Sequence, residues 1–384
     1  MTGWKEEKLE NIFYIVKEVY KPSNEHQYKY VGLSHIEQGT LRLNGWGHSN
    51  SVQSNKYFFK KDDILFGKLR PYFRKVIKAP FDGVCSTDIW VCRAKKDFDQ
   101  NFLFYFLANQ EFIDTANSTD EGTRMPRADW NYLKKTTWII PPLPEQKAIA
   151  EVLSSLDDKI DLLTRQNKTL EDLAQVYFRK WFIEDASDKW EVGKAEDYFE
   201  IGIGKTPPRK EDYWFSKNKN DVVWVSISDM GKSGVFIGDS SEYLTKDAVK
   251  QFNIKCVPKG AILLSFKLTV GRVAIALREL TTNEAIAYFK YRNIFEREYL
   301  YFYLKMFDYY SLGSTSSIAI AVNSKIIKAM PIVMPDIETL KKYHVVASPL
   351  FSKIEANTKQ IVVLQKLRDT LLPKLISGEI RTKM

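Results

Sequence analysis

Two stretches of the 384-residue chain carry apolar residues at alternating steps of four and three. In the first these are Ile149, Leu153, Leu156, Ile160, Leu163, Asn167, Leu170, Ala174, Tyr177 and Trp181, a spacing that predicts a coiled-coil seam with one polar break. The helix carrying it should run from about Pro144 to Phe182, ~55–60 Å at 1.5 Å per residue. The second stripe comprises Tyr343, Ala347, Leu350, Ile354, Asn357, Ile361, Leu364, Arg368, Leu371 and Leu375. Its polar positions are Asn357 and, near its end, Arg368. Two helices with matching stripes most simply bury them against each other, and antiparallel pairing suits a pseudo-two-fold arrangement. With the second helix matched to the first by an offset of 194 (Lys353-Ile354 on Lys159-Ile160), Asn357 corresponds to position 163, so it and Asn167 sit either side of a helix midpoint near residue 164. The two either meet across the seam and fix its register, or stand as independent solvated asparagines.

Outside the helices the chain repeats itself, weakly and over a long span. Lys60-Lys61-Asp62-Asp63-Ile64-Leu65-Phe66-Gly67-Lys68-Leu69 recurs as Pro258-Lys259-Gly260-Ala261-Ile262-Leu263-Leu264-Ser265-Phe266-Lys267-Leu268, and both copies predict a buried strand entered through a polar turn. Phe102-Leu103-Phe104-Tyr105-Phe106-Leu107 matches Tyr299-Leu300-Tyr301-Phe302-Tyr303-Leu304, an aromatic helix segment best read as core. Ile140-Pro141-Pro142-Leu143-Pro144 pairs with Val333-Met334-Pro335-Asp336-Ile337, where proline ends a strand and opens a helix. The expected order is domain, long helix, domain, long helix, with boundaries at 1–141, 142–186, 187–334 and 335–384. Two domains separated by such a rod could enter DNA at sites about one turn, roughly 34 Å, apart; rigid coiled coils also space domains that never touch nucleic acid.

Composition narrows the setting. Hydrophobic residues at 44% and aromatics at 14% support full cores, and 384 residues suit two domains better than one. Lys and Arg outnumber Asp and Glu by 57 to 48, so a polyanionic partner is plausible, although an ordinary basic protein has the same balance. Cys85, Cys92 and Cys256 fit neither a disulfide framework nor a zinc ribbon, which suggests a reducing cytoplasm. No signal-peptide pattern opens the chain, and no apolar run approaches a membrane span.

No catalytic constellation emerges from the sequence. Gly202-Ile203-Gly204-Lys205-Thr206 resembles the tail of a phosphate-binding loop, but Phe199 stands where a glycine is required and Pro207-Pro208 follow. Ile140-Pro141-Pro142-Leu143 lacks the polar side chain an amino-methyltransferase needs to hold its target amine. His26, His35, His48 and His344 have no metal-ligand spacing or triad partner. Pro335-Asp336 with Glu338 and Lys341 has the wrong spacing for a nuclease and opens a helix, where acids favour the dipole. A self-sufficient methyltransferase or nuclease would need a cofactor or metal site that these residues do not supply. A scaffold that ignores DNA would bind it weakly and without sequence preference.

Basic loops are the better candidates. Lys68, Arg70, Arg74 and Lys75 place four cations, with the two aromatics Tyr72 and Phe73, within eight residues, a turn-like cluster suited to straddling phosphates while one side chain reaches a base edge. Lys267 and Arg272 are their counterparts in the second domain; the alternative for either cluster is a solvated basic turn, disfavoured because both repeats keep cations there. Arg124 and Arg127 precede a predicted closing strand, as Ser316 does in the second half, and arginine can pair bidentately with guanine. The stretch Asn44 to Gln53 and residues Lys205, Arg209 and Lys210 complete the DNA-binding candidates.

Longer motifs sharpen this. Ile139-Ile140-Pro141-Pro142-Leu143-Pro144-Glu145-Gln146-Lys147-Ala148-Ile149-Ala150, Leu156-Asp157-Asp158-Lys159-Ile160-Asp161 and the run Leu170 to Phe182 resemble the central conserved region of type I restriction-modification specificity subunits. Gly202 to Pro207, Tyr213-Trp214 and Trp224 to Met230 are similar to the opening of a target-recognition domain, and Leu264 to Lys267 and Leu371 to Arg381 continue the likeness. Met334 to Leu340 departs from the Pro-Leu-Pro-Glu-Gln pattern, and the first domain lacks a Gly-Gly-Thr-Pro type opening. The resemblance covers nearly the whole chain. It implies an α+β fold of two target-recognition domains in pseudo-two-fold repeat, separated by two antiparallel coiled-coil helices. It further implies a non-catalytic cytoplasmic subunit that binds double-stranded DNA with methyltransferase subunits, two of them, and restriction subunits. S-adenosylmethionine, ATP and Mg²⁺ would bind those partners, and no cofactor or metal this chain.

Overall fold

The computed structural model describes residues 3–23, 26–118, 125–312 and 323–382. Two compact units emerge, one of residues 1–160 with 363–384 and the other of residues 161–362. The boundaries expected from sequence divide the chain by kind of element; the contacts divide it so that each unit takes in part of both long helices.

The first unit is built on two sheets and a ribbon. Phe13–Val16, Ile89–Ala94, Ile64–Gly67 and Val76–Lys78 form an antiparallel four-stranded sheet in that order. A five-stranded sheet runs Val19–Tyr20, Lys56–Phe59, Gly83–Cys85, Lys29–Val31, Gly47–His48. Lys5–Lys8 pairs antiparallel with Thr137–Ile140, so the strand entering the unit and the one leaving it lie side by side. The strand Ile64–Gly67 is buried at every position, as its unbroken apolar run predicts. Helix Gln100–Ala108 packs on this core; Asp99 caps it by accepting the Phe102 N–H at 2.8 Å, and Phe102 to Ala108 are all buried.

The second unit repeats the plan. Glu191–Lys194 pairs with Pro331–Met334 as the closing ribbon. Glu200–Ile203, Ile286–Lys290, Ile262–Ser265, Val273–Ala276 and Phe236–Ile237 form its larger sheet, and Ile262–Ser265 is again wholly buried. The aromatic helix Arg297–Met306 buries Tyr299, Leu300, Tyr301, Phe302 and Leu304.

The long helices are Leu143–Arg179, followed by a π-turn over Lys180–Glu184, and Ile337–Ile376. Asp336 starts the second, accepting the Thr339 N–H at 2.9 Å, and supplies the start signal in the absence of the Pro-Leu-Pro-Glu-Gln pattern. They run antiparallel within each unit. In the first, Ile149 and Leu153 share a core with Leu372 and Leu375; in the second, Ala174 and Phe178 share one with Tyr343, Ala347 and Phe351. Three seam positions expected from sequence shift by one residue. Tyr177 is exposed while Phe178 is buried, and Phe351 and Leu372 lie deeper than Leu350 and Leu371. A helix of 3.6 residues per turn drifts off a strict seven-residue repeat, so the seam steps sideways along its length.

The polar seam positions have partners. Asn357, 1% exposed, donates through Nδ2 to Asn167 Oδ1 at 2.9 Å and to Gln166 Oε1 at 2.8 Å, and Asn167 reaches Thr358 Oγ1 at 3.4 Å. Arg368 donates from Nη1 to Asp157 Oδ1 at 2.7 Å and to the Thr40 carbonyl at 3.3 Å. The Tyr105 hydroxyl donates to the other Asp157 oxygen at 2.8 Å.

Candidate nucleic-acid interface

Strand register decides which loops share an edge. In the first sheet Gly67 lies opposite Ile89 and Phe66 opposite Val76. The loop Lys68–Lys75 therefore leaves the same end of the sheet as Ser86–Asp88. Gly67 suits a crowded position there: a Cβ would sit 2.9 Å from Leu33 Cδ2 and 3.2 Å from Lys75 Cβ. Arg70 and Arg74, with φ of 51° and 49°, bracket a tight turn over Pro71–Phe73. A second segment is stitched alongside: Leu69 bridges Arg127, the Arg70 N–H donates to Pro126 O at 2.8 Å, and the Ala128 N–H donates to Lys68 O at 2.9 Å. Lys68, Arg70, Tyr72 and Arg127 are thus brought together.

Two of the four cluster cations face inward. Arg74 Nε donates to the Ala108 carbonyl at 2.7 Å with Asp369 4.0 Å away, and burial pulls its guanidinium below the ordinary range. Lys75 Nζ donates to the Leu33 carbonyl, and burial lowers its pKa too. Both hold the turn to the body of the domain, where the sequence suggested cations that straddle DNA phosphates. Tyr72 remains 45% exposed, and the Arg127 side chain, 52% exposed, stands 3.6 Å from Asp88. Within Asn44–Gln53, Trp46 packs edge-to-face against Phe81 with centroids 5.2 Å apart, and Lys29 Nζ lies 4.6 Å from the Trp46 ring centroid.

The second sheet repeats the geometry. Ile203 pairs with Ala287 and Ser265 with Ile286, so the loops beginning at Gly204 and Phe266 flank the start of the same strand. Lys205 and Lys267 leave one edge of the sheet. Lys205 Nζ donates to the Phe252 carbonyl at 2.7 Å. Arg209 stacks over Phe215 and Trp224, 4.1 and 4.6 Å from their centroids, and pairs with Glu242 at 2.7 Å. Arg272 departs from the expectation of a free cation: Nη1 donates to the Ile227 carbonyl at 2.6 Å, and the guanidinium lies where a side chain on Gly231 would go. Lys267 keeps an exposed head group. Arg124 and Ser316 lie outside the described residues. Among the described residues no group of three His, Cys, Asp or Glu side chains could hold a metal ion, and no helix is long and apolar enough to cross a membrane.

The Pro-Leu-Pro-Glu-Gln motif at the first linker has a physical role that spacing alone does not reveal. Glu145, 1% exposed, accepts from Arg381 Nη2 at 2.8 Å and from the Trp4 indole at 2.9 Å. Gln146 accepts the Asp99 N–H at 2.8 Å and donates to the Pro141 carbonyl at 2.9 Å. The motif is a joint that locks the helix start to its domain.

Two similarly folded units, each closed by a terminal ribbon and each presenting a basic loop at the corresponding end of one sheet, define a duplicated nucleic-acid-reading protein. The family model for the type I restriction modification DNA specificity domain matches residues 1–172 and again 187–366. The MjaIX specificity subunit of Methanocaldococcus jannaschii is 30% identical over 335 residues, covering 81% of this chain and 72% of that one. The HindI specificity subunit of Haemophilus influenzae is 24% identical, covering 85% and 88%. A solved S subunit of a type I system from M. genitalium shares the fold with a TM-score of 0.54 at 17% identity, over 100% and 97% of the two chains. The chain belongs to the type I restriction-modification specificity subunits and carries two DNA specificity domains.

Proposed function

We propose that this chain reads a bipartite double-stranded DNA target, one half with each unit, and that the antiparallel helices set the unread gap. It works in the cytoplasm, assembled with two methyltransferase subunits and with restriction subunits. S-adenosylmethionine, ATP and Mg²⁺ are held by those partners, and this chain contributes recognition and no chemistry. The observation that carries the reading is the repetition of one edge: Lys68, Arg70, Tyr72 and Arg127 in the first unit, and Lys205 and Lys267 in the second, leave equivalent ends of equivalent sheets. Cations there position phosphates, and the neighbouring side chains face bases. Arg209 belongs to the second group as a partly exposed guanidinium held against the Phe215 and Trp224 rings. Asn167 and Asn357 fix the helix register through their shared hydrogen bond.

Methylome sequencing of cells carrying the cognate modification subunit tests this. Deleting the chain should abolish one bipartite methylation motif, and exchanging residues 187–334 for those of a relative should change one half of that motif only. Alteration of both halves, or persistence of the motif after deletion, would overturn the assignment.

A further inference from the structure

The repeat aligns Lys68-Leu69 with Lys267-Leu268, yet the two leucines meet different fates. Leu69 is partly covered and bridges Arg127. Leu268 is 97% exposed, more than any other large apolar side chain among the described residues. Its backbone is left-handed, φ 60°, a region a β-carbon disfavours. An apolar side chain in water on a strained backbone gains nothing from its own fold.

The loop that holds it is nevertheless fixed. Ser265 Oγ donates to the Thr269 carbonyl at 2.6 Å and accepts the Arg272 N–H at 3.0 Å, while the Gly271 N–H donates to Ser265 O at 2.9 Å. Gly271, φ 89°, closes the turn where a Cβ would lie 3.4 Å from the Tyr309 ring. Arg272 anchors the far side through the Ile227 carbonyl. Beside this rigid loop Lys267 supplies a cation, and next to Tyr309 in sequence stands Tyr310, 80% exposed.

We propose that Leu268 is a specificity-determining contact of the second unit, an apolar side chain held out so that it enters a groove of the DNA and is buried against bases while Lys267 meets the backbone. The proposal rests on the reading of this unit as a DNA-binding one and adds to it a residue that carries no charge or hydrogen bond. Leucine serves in this way either against a thymine methyl group or as a wedge in a base step.

The test uses the full chain assembled with its modification subunits. Binding of Leu268→Ala is measured on a duplex bearing the bipartite target and on one with the second half scrambled. The expected result is roughly ten-fold weaker binding to the intact target, from losing most of one buried apolar side chain. Binding to the scrambled duplex should be unchanged, as should the salt dependence, because no charge is removed. The melting temperature should not move, since the side chain touches nothing in its own domain. Two arms identify the contact, and either outcome supports the proposal. Uracil in place of thymine would weaken the parent protein but not the variant if a methyl group is touched; 2-aminopurine would brighten at one step with the parent only if a step is opened. Binding of the variant to the intact target within two-fold of the parent, an equal loss on both duplexes, or failed assembly with the modification subunits would overturn it. Should the parent itself not discriminate the intact from the scrambled target, it is the DNA-reading assignment that fails.

Discussion

Replacing Asp157 by alanine should destabilise the first unit by about 2–4 kcal/mol, and the geometry supplies the figure. The Arg368 side chain is 3% exposed and points Nη1 at Asp157 from 2.7 Å. Removing one member of such a buried pair costs about 3–5 kcal/mol, because the other charge stays behind without a partner. Two details lower the estimate: Asp157 is itself 23% exposed, and Arg368 also contacts Asp369 at 3.0 Å. Two details raise it. Asp369 also lies 4.0 Å from Arg74, so after the substitution two guanidinium groups share a single carboxylate that is 47% exposed. The Tyr105 hydroxyl, on a residue only 2% exposed, loses its acceptor as well. Calorimetry should show the transition of the first unit lowered by on the order of 10 °C, taking ~2–4 °C per kcal/mol for a unit of this size. Replacing the pair together, Asp157→Leu with Arg368→Met, should recover most of that loss, because an apolar pair of similar volume is not penalised by burial. A coupling below about 0.5 kcal/mol in the double-mutant cycle would show that the pair behaves as a solvated one, and the reasoning would be wrong.

The double variant Asn167→Leu, Asn357→Leu should raise the melting temperature through added apolar burial while relaxing the helix register, read as heterogeneous gap lengths in the methylome; one gap with one register would count against the register role. Inserting four residues into one long helix should lengthen the unread gap and leave both half-targets intact, with an unchanged gap refuting the spacing role. Asp336→Ala should cost about 1 kcal/mol in the second unit and Asp336→Asn much less, as expected for a helix cap. The bonds from the Thr339 N–H and hydroxyl hold the Asp336 carboxyl below its ordinary pKa. Its contribution is therefore complete above the unfolded value, about 3.9, and fades as pH falls through the lower folded value. The asparagine variant should lack that acid dependence in pH-resolved melts. Lys267→Gln should weaken binding to all sequences and reduce the salt slope by about one, whereas Arg74→Ala should act mainly on stability.

What the sequence made legible follows from range. Periodic patterns are local, so both long helices, the aromatic helices and the buried strands Ile64–Gly67 and Ile262–Ser265 could be read directly. The fine position of the seam could not, because the drift that trades Tyr177 for Phe178 accumulates over many turns. Cations were legible as letters but not as roles. Whether Arg74, Lys75 and Arg272 face solvent depends on carbonyls at Ala108, Leu33 and Ile227, distant in sequence and brought near only by the fold. Arg368 appeared as an interruption of an apolar stripe, since Asp157 lies 211 positions away. Leu268 gave no signal of its own: an apolar residue beside a buried strand is ordinarily core, and only its exposure sets it apart.

The first unit is completed from both ends of the chain, and this has a consequence during synthesis. A ribosome that has made residues up to Ile160 must add about 200 more before Val363 appears, ~10–40 s at usual elongation rates. Through that interval Ile149 and Leu153 await Leu372 and Leu375, and Glu145 awaits Arg381. The nascent first unit therefore emerges with part of its apolar helix face uncovered and with Glu145 lacking its cation, while the second unit, continuous in sequence from 161 to 362, can close on itself first. Order of birth and order of completion are reversed.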